Sequence, residues 1–582
     1  MNSSSYKLFC GALGSVIGFI IAIFSNNHLG SYNSTPTTMD QLYPPEGFNT
    51  DMIAAENLGS SIWCNIRFDS TKFCKFNNLY YIPKFKGHFF FLINEFSVIS
   101  GVDDLKKLSL STVQNHSGLY LKLILIKSTH HLLKENFTVA NMNSFILKRF
   151  KPDNIMHVIH DDLLPLFVTY KELCSGNISL CSSTYQLLLM DSPNDYEPYY
   201  EWYKHFSIHT PIILGKLKNP LCIKKGYFGL SNSSIWFQYG FKTTQGPVLE
   251  SNINGFILAE FSDFIKKQFG VKREINLDHS DILPILLFSR KLNRKIINEA
   301  AMQDSMEYIA ESTLKKNFSI INLDLSTNNS TSIINYLHQS QLLVGMHGSA
   351  MILAIFMPRG SRIIELFPFG IQPNFVSPLR ALCQNKHIYF NYESWVNMNE
   401  SNTITHPEYP PLHGGILHLE KTKQEEIIKV KTVPPVECCH NPVYLFRMFQ
   451  DTIVDESFFT MFHSFVSKQT DYDSSKQTIT KQKLQYEIER WYFPPPVFNV
   501  SCICYDQQLK LSWNYPFMHK GITFSIATSN GVLAISEETN ISFEMNECDK
   551  NKQLSFSVWI KVIDGTKESL DYFEECEISY KR

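Results

Sequence analysis

The sequence predicts an α/β protein with a doubly wound parallel sheet at its centre and an all-β domain at its carboxyl end, behind an apolar amino-terminal anchor. Three observations carry this reading. Strand and helix patterns alternate from residue 285 to residue 368, short alternating runs fill roughly the last ninety residues, and residues 8–24 carry no charge. A chain of 582 residues has room for three domains. Its formal charge of -2, with no dense basic tract, gives no reason to expect a nucleic-acid partner.

The anchor, LFCGALGSVIGFIIAIF, follows Lys7 and is about the minimum length that spans a bilayer as a helix. No small-residue cleavage site separates it from the polar stretch that follows, so a signal anchor is expected rather than a cleaved signal peptide. Residues 1–7 then form a cytosolic tail, residues 25–55 a stem, and the remainder lies in the lumen. Dense sequons agree, beginning at Asn33, Asn115, Asn136, Asn177, Asn232, Asn317, Asn328, Asn329, Asn399, Asn499 and Asn540. Twelve of the thirteen cysteines lie beyond the anchor, which suits an oxidising compartment, although spacing does not reveal their pairing.

In the middle of the chain, ILLFS (285–289) reads as a buried strand, NRKIINEAAMQDSMEYIAES as a helix, FSIINLDL as a strand and TSIINYLHQS as a helix. LLVGMHG then reads as a strand entering a glycine turn, SAMILAIFM as a helix and SRIIELFP as a strand. Ligands of such sheets sit beyond the carboxyl ends of the strands. There the sequence places Ser289, Arg290 and Arg294, then Met346, His347 and Gly348, then Glu365. Two forked guanidiniums suit a diphosphate, the GMHGSA backbone at a helix start adds donors, and Glu365 can accept from sugar or ribose hydroxyls. Singly, each has a plainer reading: a solvated arginine face, a short chance motif, a helix cap. Their convergence on one sheet edge favours a nucleotide-sugar site.

The segment KPDNIMHVIHDDLLPLF (151–167) sets two histidines and two aspartates in an apolar run. As a helix it aligns His157, His160, Asp161 and Leu164 on one face. A buried polar network, a metal site and a catalytic or substrate-binding face are all compatible with that pattern. For a metal, H-x-x-H-D lacks a second ligand set of similar spacing, and the only literal D-x-D, at 471–473, falls in a polar tract. That tract, residues 467–490, reads as a linker. Residues 491–582 alternate in short strands, and the early tryptophan of LKLSW is similar to that of fibronectin type III modules.

The blocks KPDNIMHVIHDDLLPLF, GLSNSSIWFQYGFKTTQGP, LFSRKLNRKIINEA, VGMHGSAM, IIELFPFGIQPNFVSPLRAL and NTITHPEYPPLHGGILHL resemble, in order, those of one glycosyltransferase family. It comprises O-mannose β-1,4-N-acetylglucosaminyltransferases, EGF-domain O-GlcNAc transferase and plant xylan-decorating transferases. The resemblance runs from about residue 149 to 449, includes Cys64, Cys74 and the CCHNP at Cys438, and is patchy between about 75 and 142. It implies a type II membrane protein of the endoplasmic reticulum with two Rossmann-like lobes of GT-B type, residues 56–250 on the acceptor side and 251–466 on the UDP-sugar side. It further implies transfer of GlcNAc from UDP-GlcNAc to O4 of an O-linked mannose on glycoproteins such as α-dystroglycan, and it allows a homodimer. Inversion at the anomeric carbon needs one base and positive character around departing UDP. Asp161 is the expected base, with His160 and Asp162 orienting it or holding mannose. Ser289, Arg290, Arg294, His347, Gly348 and Glu365 are expected on the donor side, with no cofactor and no metal. The alternatives are a catalytically inactive lumenal glycan-binding protein and a transferase of the same family acting on EGF-domain Ser or Thr.

Overall fold

The computed structural model describes residues 49–580 outside the segments 54–58, 67–70, 86, 95–96, 98, 101–107, 114–118, 128–136, 175, 192–197, 242–243, 249–250, 252, 272–281, 315–316, 325–327, 385–387, 389, 437–439, 469–496, 506–507, 516–521, 529–532, 545–554, 565–566, 569–571 and 578. The expected anchor, most of the stem and linker, the D-x-D at 471–473 and Cys438 fall outside the described residues. Among the described residues no helix is long and apolar enough to cross a membrane. The protein is of mixed α/β type, with several sheets.

Ten strands form the first sheet: β1 (Asn49–Ile53), β2 (Ser61–Ile66), β3 (Lys72–Tyr81), β4 (Phe89–Ile93), β5 (Ile99–Ser100), β6 (Leu123–Lys127), β7 (Phe137–Leu147), β8 (Tyr185–Leu189), β9 (Ile212–Ile213) and β10 (Leu221–Phe228). The main path runs β5-β2-β3-β10-β7-β8-β9. From β10 to β9 the neighbours are parallel, whereas β2, β3 and β10 pair antiparallel and β1 joins β7 antiparallel. Short connections explain the mixture: the seven residues from Ile82 to His88 between β3 and β4 permit only an antiparallel return. β1 also lies inside the segment assigned to the stem, so this sheet begins earlier than the sequence indicated. Cys64 and Cys74 face each other across β2 and β3 and are joined by a disulfide, and a second disulfide links Cys174 to Cys181.

After the hairpin of β11 (Phe237–Gln238) and β12 (Gly246–Pro247), a second sheet contains β13 (Ile282–Phe288), β14 (Asn317–Leu323), β15 (Leu342–Met346), β16 (Arg362–Phe367) and β17 (Asn391–Val396). All neighbours are parallel, in the order β14-β13-β15-β16-β17. Ile285, Leu286, Leu287, Leu343 and Val344 are fully buried, as expected of strands covered on both faces. Successive crossovers turn opposite ways on either side of the β13–β15 pair, so a crevice opens at their carboxyl ends.

Two segments depart from the expected helices. The helix after β13 starts at Glu299, not near 293, because Lys295 and Ile297 exchange backbone hydrogen bonds with Thr452 of the short strand Asp451–Thr452. Residues Ser349–Phe356 form a 3-10 helix rather than an α-helix. Beyond residue 496, one sheet joins Asn540–Glu544, Gln508–Asn514, Phe498–Tyr505 and Ser579–Tyr580, and another is centred on Ile522–Thr528 and Ser555–Asp564. Alternation along Gln508–Asn514 buries Leu509, Leu511 and Trp513, which share one core with Phe524, Ile526, Val558 and Ile560 of the other sheet.

Candidate functional site

At the crevice between β13 and β15 lies a cavity of about 230 Å³, lined by Ser289, Arg290, Leu292, Asp324, Met346 and Ser349 among others. Arg290 lines it from the turn after β13, and Arg294, which takes a left-handed backbone (φ 53°) in the same turn, brings its guanidinium beside that of Arg290 over Gly348. Both are partly buried. Among the described residues the Arg290 guanidinium donates only to Asn293, to its carbonyl at 3.1 Å and its Oδ1 at 3.2 Å. Arg294 Nη1 donates to the His347 carbonyl at 2.8 Å, its guanidinium lies 5.0 Å from the centre of the Phe449 ring, and its buried Nε has no partner among the described residues. Neither arginine pairs with a carboxylate among the described residues. Burial, and then the neighbouring Arg290 charge, push the Arg294 guanidinium well below its ordinary value, with Tyr444 opposing. Since a guanidinium stays charged, that direction measures a cost which a bound anion would relieve.

Gly348, in an extended conformation, caps the Ser349–Phe356 helix without a side-chain cap. The leading backbone N–H groups of that helix are therefore donors at the edge of the cavity. Ser289, expected on the donor, spends its hydroxyl on Glu299 at 2.9 and 3.1 Å. Glu365 is buried and fully engaged: it meets His347 Nδ1 at 2.7 Å and accepts from Ser377 Oγ at 2.5 Å and Tyr392 Oη at 2.7 Å. It therefore fixes the His347 ring, which stacks on Phe367, and leaves ligand contact to that ring.

The HVIHDD segment is a π-helical turn, Val158–Leu163, set between Ile155–His157 and the helix Leu164–Leu173. The extra residue is visible in the hydrogen bond from Leu164 N–H to the Ile159 carbonyl, five residues back. Thr112 Oγ1 donates to the Asp161 carbonyl at 2.8 Å. Three of the four titratable side chains converge as expected. Asp161 Oδ2 lies 2.6 Å from His157 Nδ1, and its Oδ1 lies 2.6 Å from His160 Nδ1 and accepts from Tyr239 Oη at 3.2 Å. Burial would raise the Asp161 carboxyl, but His160 and His157 outweigh it and hold the group at about 2.

His160 has a defined role. Its Nε2 accepts the backbone N–H groups of Trp236 and Phe237, both at 3.3 Å, so the proton resides on Nδ1, facing Asp161. Asp162 separates from the cluster. Its Oδ2 accepts from Tyr203 Oη at 2.6 Å on the side of the buried Arg149–Asp191 pair. Burial raises its carboxyl well above the usual range, Tyr203 and Arg149 pull it down, and Asp161 and Asp191 push it up.

Several parts of the site were not legible in the sequence. The ring of Tyr239 and the amides of Trp236 and Phe237 reach the histidines across some eighty residues. Buried Asp451 holds the arginine turn, accepting from Lys295 N–H at 2.7 Å while meeting His406 Nε2 at 2.9 Å. Only the block NTITHPEYPPLHGGILHL, which contains His406, offered a signal for that contact.

Two arginines with no carboxylate partner among the described residues, at a parallel-sheet switch point, form a site whose charge suits an anion. Residues 122–364 match the family described as Glycosyltransferase 61. A protein O-linked-mannose beta-1,4-N-acetylglucosaminyltransferase 2 of Tetraodon nigroviridis is 32% identical over 416 residues, covering 70% of this chain and 69% of the relative. The protein of the same name from Takifugu rubripes is 30% identical over 488 residues, 81% of this chain and 80% of its own, and that of Homo sapiens is 30% identical over 408 residues, 68% and 67%. The chain belongs to the glycosyltransferase 61 family.

Proposed function

We propose that the protein is an inverting glycosyltransferase that moves GlcNAc from UDP-GlcNAc to O4 of a mannose already linked to Ser or Thr of a glycoprotein. The observation that carries this is the pair Arg290 and Arg294, without a carboxylate partner among the described residues, over the glycine turn of His347 and Gly348 at the crevice where a doubly wound sheet takes its ligand. A diphosphate supplies the missing negative charge in forked geometry. The relatives' names supply the sugar, the linkage and the acceptor.

In this reading the two large sheets belong to the two lobes of a GT-B unit, the first facing the acceptor and the second the donor, and residues 491–582 form a fibronectin type III-like module. The acceptor oxygen attacks the anomeric carbon in line, the bond to UDP breaks, and the departing electron pair is received on phosphate beside Arg290 and Arg294. The arginines supply the charge that a metal supplies elsewhere, so transfer is metal-independent. The charge-free residues 8–24 and the sequons beyond them support a single-pass type II placement in the endoplasmic reticulum membrane.

The test is incubation with UDP-GlcNAc and an O-mannosyl peptide in EDTA, followed by linkage analysis. A β-1,4-linked GlcNAc on mannose is expected. Peptide binding with no UDP release from a cooperatively folded preparation supports the glycan-binding alternative, and transfer only to an EGF-domain Ser or Thr supports the other acceptor.

A further inference from the structure

We infer that His157 is the residue that receives the acceptor's proton, with Asp161 as the buried carboxylate that orients it; this rests on the transferase reading above. The Nδ1 of His157 is committed to Asp161 Oδ2 at 2.6 Å, which leaves Nε2 with its lone pair outward. No partner occupies Nε2 among the described residues, and the ring is the least buried of the three groups in the cluster. His160 cannot substitute, because its Nε2 is filled by two backbone N–H groups. Asp161 is 1% exposed and both its oxygens face imidazole nitrogens, so no acceptor hydroxyl reaches it without displacing one.

The surroundings of His157 suit a sugar. Phe150 packs edge-on at 5.1 Å, Tyr239 lies at 4.6 Å, and Phe241, 44% exposed, continues the wall 5.7 Å from Phe150. Such rings offer apolar faces to the C–H side of a pyranose while the one open ring nitrogen meets a hydroxyl. In the step, the O–H bond of the mannose hydroxyl breaks with its proton passing to Nε2, the new O–C1 bond forms, and the C1–O bond to UDP breaks with its electron pair leaving on phosphate.

Transfer to a mannosyl peptide and UDP affinity are measured for the parent, His157→Gln, His157→Ala and His347→Gln. His157→Gln should lose on the order of a hundred-fold or more in kcat, at unchanged UDP affinity. Free imidazole should restore turnover to His157→Ala in proportion to its concentration, which a purely structural role would not allow. Near-parent turnover by His157→Gln overturns the inference, as does a collapse confined to His347→Gln, which moves the base to the donor side. A parent with no transfer activity removes the transferase reading itself, whereas an active parent with an undiminished His157→Gln removes only the base.

Discussion

Gly348 lies directly beneath Arg290: a side-chain carbon built at 348 would sit 2.9 Å from Arg290 Nη1 and 3.1 Å from Arg294 Nη1. The absence of a side chain is what lets two guanidiniums meet over one turn. Gly348 is extended and not left-handed, so alanine there brings no backbone strain and displaces only the ends of two flexible side chains. Gly348→Ala is expected to melt close to the parent while UDP affinity falls about ten-fold, equivalent to roughly 1.4 kcal/mol. Thermal melting and calorimetry on the same sample check this; a large loss of stability at unchanged UDP affinity would place the glycine's role in the fold.

Asp162 gives a pH prediction of determined sign. Its folded carboxyl is raised, burial being the largest cause, whereas the unfolded carboxyl ionises near about 3.9. The stability tied to this group is therefore full below about pH 4 and lost as pH rises through the folded value. Tyr203, Arg149, Asp161 and Asp191 all face it, and asparagine retains an acceptor for the Tyr203 hydroxyl. Asp162→Asn should melt above the parent at pH 7.5, with the difference shrinking toward pH 3.5. A variant less stable than the parent at pH 7.5 would mean that the carboxylate is ionised and satisfied.

Asp451 tests how the arginine turn is held. It accepts from Lys295 N–H, ion-pairs with Lys295 Nζ at 3.4 Å, and meets His406, whose ring stacks on Tyr409 at 4.2 Å. Asp451→Ala takes the buried acceptor from the Lys295 N–H and from His406 Nε2, and should cost about 2–3 kcal/mol of stability. UDP affinity should fall as well, although Asp451 is not among the residues that line the crevice. Denaturant unfolding with UDP titration reads both, and wild-type donor affinity in the variant would show that the turn is held by other contacts.

Much of the second sheet was legible because its strands are short apolar runs separated by well-patterned helices, and both arginines followed from their place at a strand end. The HVIHDD cluster was legible as a convergence of His157, His160 and Asp161. The direction of Asp162 was not, because the inserted residue of a π-helical turn rotates the helix phase. Glu365 looked free to bind sugar since nothing local occupies it; Ser377 and Tyr392, which do, arrive from later elements. The mixed first sheet was illegible for a similar reason, its antiparallel edge being set by register across long sequence separations. Tertiary partners decided what local pattern left open.

The most direct measurement is a calorimetric titration of UDP into the parent, Arg290→Ala, Arg294→Ala and Arg290→Lys. Each alanine removes a charge-assisted contact worth about 1.5–3 kcal/mol when desolvated. UDP affinity should therefore fall about ten-fold to a hundred-fold in each, with Arg290→Lys recovering part of the loss because an ammonium keeps the charge but not the fork. Arg294→Ala should also lower stability, since its Nη1 holds the His347 carbonyl. Unchanged UDP affinity in both alanine variants would contradict the assignment of the β13–β15 crevice as the donor site.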